Sequence, residues 1–170
     1  TENSPGGKDF LSNLCKKWEA VAAEKPFFSR LVIFRIGIVL EKDGGALGKM
    51  LPIFKIGLGG PIGDGKQWMS WIHRTDLCAL ITQALVDKKY SGVFNAVAPN
   101  PVLMKEFSQT LGKCLNRPNL LPVPGAVLKI LLGDGAKVVL EGQKVISSKI
   151  KNYNFKYPLL EKAIYASTKN

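Results

Sequence analysis

Apolar positions recur every three or four residues between Asp9 and Glu24, at Phe10, Leu14, Trp18 and Val21. That spacing predicts a helix with Asp9 as its N-cap. The pattern then changes. Leu31-Val-Ile-Phe-Arg-Ile36 is apolar on both faces and ends at Gly37, as in a strand buried inside a parallel sheet. A short helix is expected near Ala46 to Phe54. Gln67 to Ile72 reads as a short strand. Asp76 to Val86 reads as a helix capped by Thr75 or Asp76, with Leu77, Leu80, Ile81 and Ala84 as its apolar stripe. Gly92 to Val97 is a second strand, stopped by Pro99-Asn100-Pro101. Helices are then expected at Val102 to Leu115 (closed by Asn116 and Pro118), Ala126 to Leu132, Asp134 to about Glu141, and Leu159 to Ala166.

The strands are few and early, and the helices crowd the end. This predicts an α/β architecture with a helical C-terminal lobe. Two good strands and one short one cannot form a parallel sheet covered on both faces. The remaining strands are expected from residues outside this sequence or from another chain.

Composition narrows the class. The chain has 170 residues, 46% hydrophobic and 22% charged, which is ordinary for a globular domain and excludes a disordered or low-complexity chain. No apolar run approaches the ~18 residues needed to cross a bilayer, so no membrane partner is expected. The first ten residues lack the basic and apolar regions of a signal peptide. The three cysteines, Cys15, Cys78 and Cys114, form no CxxC pair and no closed disulfide set, which favours a reducing compartment. The cytoplasm is expected, with the plastid stroma as the alternative. A structural metal is set aside, since His73 is the only histidine. Net charge is +11, but the 24 basic residues include only four arginines, and the longest basic runs are pairs. A solvated lysine surface accounts for this better than a nucleic-acid footprint, which would favour arginine. Attraction for a phosphorylated small molecule remains open.

Candidate chemistry is concentrated in three places. Lys42 to Gly65 holds eight of the 17 glycines. Within it, Gly57-Leu-Gly-Gly-Pro-Ile-Gly63 looks like a dinucleotide fingerprint. It lacks the strand before and the helix after that would carry a pyrophosphate, so a shaped loop is expected. Trp68-Met-Ser-Trp-Ile-His73 is the second place. Alternation sends Trp68, Ser70 and Ile72 to one side and Gln67, Met69, Trp71 and His73 to the other, so one row could line a pocket. Asp76 reads as a helix cap rather than a catalytic acid. His73 either orients a substrate or makes a structural bond to the backbone. Ser70 lacks the GxSxG elbow of a serine hydrolase. The third place is Arg35. At the carboxyl end of its strand it either faces a ligand crevice or pairs with a nearby carboxylate.

Nine ordered segments resemble one family. They are Ser4-Pro-Gly-Gly7, Asp9-Phe-Leu with Leu14-Cys15 and Trp18-Glu19, Arg35-Ile-Gly-Ile-Val-Leu40, Gly44-Gly-Ala-Leu-Gly-Lys-Met-Leu51, Gly57 to Gly63, Trp68 to His73, Asn95-Ala-Val-Ala-Pro-Asn-Pro101, Leu121-Pro-Val-Pro124 and Leu140-Glu-Gly-Gln-Lys-Val145. The family is the atypical short-chain dehydrogenases/reductases called epimerase family proteins, also labelled NAD-dependent epimerase/dehydratase-like and, in some cases, cell-division inhibitor-like.

The resemblance implies the C-terminal half of an extended Rossmann-type fold with a small helical substrate lobe. Residues 1–98 would be the end of the Rossmann-type domain plus a substrate-cleft loop, and 99–170 the lobe. It implies NADP or NAD as cofactor of the intact protein, with Arg35, Gly37, Ile38 and Val39 beside the nicotinamide. Lys49, Gln67, Trp68, Trp71 and His73 would line a cleft for a nucleotide sugar or another polar carbonyl compound. Trp68 and Trp71 would stack on a base or sugar, and Lys49, Lys55 and Lys66 would draw phosphate. Cofactor and substrate would be partners through an N-terminal half that these residues do not include, and a homo-oligomer is compatible. Extended relatives carry Tyr-x-x-x-Lys with a Glu four residues after the Lys. Aligning on Glu19 puts Leu11 and Cys15 at those places, with Lys16 turned about 100° away. No catalytic residue is therefore assigned, and the 170 residues alone are expected to turn over nothing. A non-catalytic regulatory protein of cell or plastid division is the alternative.

Overall fold

A computed structural model describes residues 1–24, 30–119, 122 and 142–169. The helices expected at Ala126 to Leu132 and Asp134 to Glu141 lie outside these residues. The elements in chain order are α1 (Phe10–Ala23), β1 (Val32–Ile36), β2 (Ile38–Leu40), α2 (Gly45–Lys55), β3 (Trp68–Met69), β4 (Trp71–His73), α3 (Arg74–Val86), β5 (Gly92–Ala96), β6 (Val102–Leu103), α4 (Met104–Leu115) and α5 (Leu160–Lys169). This is the Rossmann-type α/β architecture that the sequence implies.

The strand beginning at Val32 does not end at Gly37. Instead it changes partner there. β1 runs parallel to β5, in the register Val32↔Gly92 to Ile36↔Ala96, and β2 runs parallel to β4, from Ile38↔Trp71 to Leu40↔His73. At the joint the Gly37 amide donates to Ala96 O (3.1 Å), and the next amide, Ile38, donates to Ser70 O (2.8 Å). A Cβ at Gly37 would lie 2.7 Å from Ser70 O and 2.8 Å from Val97 Cγ1, so only glycine lets both strands approach.

The stretch from Gln67 to Ile72 is likewise not one strand. β3 pairs antiparallel with β6, while β4 belongs with β2. The break falls at Ser70, whose hydroxyl accepts from the Val145 amide (2.8 Å) and donates to Gln143 O (2.7 Å). The predicted alternation of faces fails for this reason. Met69, Ser70, Trp71, Ile72 and His73 are all buried.

Two apolar cores form. One gathers Leu40, α2, Met69, Trp71, α4 and α5, and it draws on residues from both sides of position 98. The other packs Ile72, Leu80, Ala84, Tyr90, Phe94 and Ile150 against the β1–β5 ladder. α4 closes on Asn116 in the left-handed conformation (φ 52°), as its place before Pro118 suggested.

Two surfaces have no cover among the described residues. Leu31 O and Gly37 N face β5, so by alternation the amides of Val32, Phe34 and Ile36 face away from it, and no described strand pairs with that edge. α1 buries none of its side chains; Phe10 is 78% exposed and Trp18 65%.

Candidate functional site

β1 and β5 deliver their carboxyl ends to the Gly37 joint, from which β2 and β4 start. In open α/β sheets this is where ligands bind. Four side chains organise the place. Arg35 lies at the end of β1 and grips Glu19 of α1 with two parallel bonds, Nε to Oε1 and Nη2 to Oε2, both 2.7 Å. The bond from Arg35 holds the Glu19 carboxyl below its usual range. Arg35 Nη1 also donates to the Glu2 carbonyl oxygen (3.2 Å). Of the two readings of Arg35, the structure supplies the carboxylate pair, at the edge of the crevice.

Glu2, which sequence reasoning did not single out, is the most heavily bonded carboxylate here. It is 7% exposed. Oε1 accepts from the Asn95 amide (3.0 Å) and from the Ser147 hydroxyl, and Oε2 accepts from the Ser148 amide (2.9 Å) and hydroxyl (2.7 Å). Burial pushes its pKa up, but the bonds from Ser147, Ser148 and Asn95 outweigh it and hold the carboxyl far below its usual value. Asn95 Nδ2 adds a bond to Ile146 O (3.0 Å), and Lys149 Nζ takes Val93 O (2.7 Å). Side chains thus cap the outer edge of β5. No periodicity marks such a residue; its partners are 93 and more positions away.

The other candidates fall into distinct settings. Trp71 is wholly buried, and its Nε1 donates to Asn100 O (3.0 Å), so it offers no face for stacking. Trp68 is half-buried, with Lys144 Nζ 4.4 Å from its ring centre. Gln67 Nε2 donates to Ile62 O (3.0 Å). Lys49 on α2 is exposed, as are Lys55 and Lys66. Ile38 and Val39 are half-buried beside the Gly37 joint. His73, rather than Thr75 or Asp76, caps α3. Its Nδ1 accepts from the Thr75 amide (3.1 Å), its ring centre lies 4.0 Å from that of Tyr157, and burial lowers its pKa. Asp76 is neither cap nor exposed acid. Its carboxylate accepts the Lys156 (2.7 Å) and Tyr157 (3.0 Å) amides and pins that segment to α3. The glycine run forms a loop rather than a phosphate cradle: Gly57 and Gly63 take positive φ, and Gly59 sits against the Phe54 ring. On α1, Leu11 and Cys15 are exposed, two turns and one turn before Glu19 respectively, and Lys16 turns away to bond Gly7 O (2.6 Å). Among the described residues, no group of histidine, cysteine and carboxylate side chains could hold a metal, and no helix is long and apolar enough to cross a membrane.

Comparison with known proteins decides the family. The chain is 51% identical over 167 residues to the epimerase family protein SDR39U1 homolog, chloroplastic, of Arabidopsis thaliana, covering 97% of this chain and 48% of that protein. It superposes on the crystal structure of the human epimerase family protein SDR39U1 with NADPH at a TM-score of 0.90, with 45% identity over 99% of this chain and 59% of that one. The chain belongs to the epimerase family of atypical short-chain dehydrogenases/reductases.

It spans about half the length of the curated epimerase family proteins it matches. A nucleoside-diphosphate sugar epimerase from Corynebacterium glutamicum matches at 33% identity and a TM-score of 0.68, covering 96% of this chain and 32% of that one. Residues 123–166 match a domain of unknown function, DUF1731.

Proposed function

We propose that this chain forms the substrate-side portion of an NADP(H)-binding, epimerase-like oxidoreductase. The observation that carries the reading is the superposition, over nearly all of this chain, on an epimerase family protein crystallised with NADPH. The Gly37 joint supports it. Ile36 is 51% exposed there, and the charges beside it, Arg35 and Glu19, cancel. Such a wall fits the flat face of a nicotinamide ring, uncharged in its reduced form, with Ile36 and the backbone of Gly37 to Val39 holding one face. The cofactor, when bound, would supply or accept a hydride. The open edge of β1 and the uncovered face of α1 would meet the rest of a Rossmann-type sheet.

The chain's own contribution is binding and positioning. Leu11 and Cys15 give no Tyr/Lys pair to relay a proton, and His73 is committed to capping α3. A nucleotide sugar or another polar carbonyl compound is the substrate class. The 33% identity to a nucleoside-diphosphate sugar epimerase favours the former, and Trp68 with the lysines of the 49–66 stretch would receive it. The division-regulator alternative has no observation of the fold in its favour.

The test is a chimera in which this chain replaces the matched 59% of the human protein. It is expected to bind NADPH, read by cofactor fluorescence. A folded chimera that does not bind would overturn the proposal. The 170 residues alone are expected to give no saturable NADPH signal; micromolar affinity would show that the crevice needs no second wall.

A further inference from the structure

At the other end of β5, away from the crevice, lies a cavity of about 500 Å³ between the last turn of α3, the start of β5 and residues 149–154. That volume suits a small organic ligand. Three rings wall it. Tyr90 and Phe94 stand with centres 5.2 Å apart, and Tyr153 joins them in the lining. Tyr90 is only 9% exposed, yet neither its hydroxyl nor that of Tyr153 has a hydrogen-bond partner among the described residues. The Tyr90 hydroxyl oxygen is not itself buried and opens to solvent. Tyr90 is also part of the cavity lining, so its hydroxyl is available to a ligand there.

The charges at the mouth point to the sign of that ligand. Lys89 and Lys149 line it against one acid, Asp87. The Asp87 carboxylate accepts the Lys89 amide (2.9 Å) and so serves its own turn. Lys149 Nζ spends one donor on Val93 O and lies 4.9 Å from the Phe94 ring centre, leaving two donors. We propose that this cavity is a second ligand site, for a small aromatic carboxylate: the ring lies between Tyr90, Phe94 and Tyr153, and the carboxylate meets Lys89 and Lys149. Burial raises both phenol pKa values, which keeps the hydroxyls as donors at neutral pH. The site shares no residue with the crevice and stands whether or not the cofactor reading holds.

Amide chemical shifts during titration with benzoate, cyclohexanecarboxylate and benzyl alcohol test this. Benzoate should give saturable shifts at Gly92, Asn152 and Asn154 and leave Gly37 and Val39 unmoved. The saturated acid and the alcohol should each bind at least about fivefold more weakly, because one lacks the ring face and the other the charge. Lys89→Ala and Tyr90→Phe should each weaken benzoate by about fivefold. Should Tyr90→Phe disturb the fold, Tyr153→Phe carries the same test. No saturable shift by about 20 mM benzoate, equal binding of the three probes, or indifference to the variants would overturn the proposal.

Discussion

His73 shows how one atom settles a residue's role. Its Nδ1 can accept the Thr75 amide only while the imidazole is neutral, and burial favours that state. The folded pKa therefore lies below the ordinary value of 6.5. The unfolded chain binds the proton more readily, so stability attributable to this group is complete above 6.5 and drains away as pH falls below it. His73→Asn keeps a capping acceptor and should be about 1 kcal/mol more stable than His73→Ala, by urea unfolding at pH 7. It should also flatten the pH slope between 6.5 and 5; equal stability of the two variants would contradict the cap. Glu2 acts through several bonds at once. Glu2→Gln should cost about 2–3 kcal/mol at neutral pH, because at least one buried donor loses a charged acceptor. Its folded pKa is depressed, so this contribution is present above the unfolded value of 4.5 and lost on acidification below it. Comparing wild type and variant by urea unfolding from pH 7 to pH 3 should show the gap close. Glu19→Gln should cost only about 0.5–1 kcal/mol, since the pair with Arg35 is partly solvated.

Elements were more legible than roles. α1, α2, β1, β5, α4 and α5 form close to where periodicity and caps put them, because each has an amphipathic stripe or a β-branched run that local physics can read. Asp9 does cap α1, accepting the Ser12 amide at 3.0 Å. What local pattern could not show was pairing. Gly37 looked like the end of a strand because glycine punctuates strands; it is the joint at which one strand passes from β5 to β4. Trp71 looked like a pocket wall because alternation assumed an unbroken strand, and Ser70 breaks it. Gly37→Val should therefore be severe, more than about 3 kcal/mol by urea unfolding, since the added carbons meet backbone oxygen on one side and Val97 on the other. A mild effect would mean that the two ladders are not tied at that point.

Taken together, the sheet is finished on one side and open on the other. Side chains of Glu2 and Lys149 close the outer edge of β5, whereas nothing described closes β1. In hydrogen exchange the amides of Val32, Phe34 and Ile36 should exchange at least about tenfold faster than those of Ile33 and Arg35, which face β5. Equal protection would mean that this edge is paired. The sequence signalled the imbalance through its shortage of strands, but a count of strands names no edge. Position 2 has a different consequence. Its carboxylate holds Ser147 and Ser148, 145 and 146 positions further on. Replacing that one side chain would unfasten a distant stretch of backbone, with the damage surfacing where no edit was made.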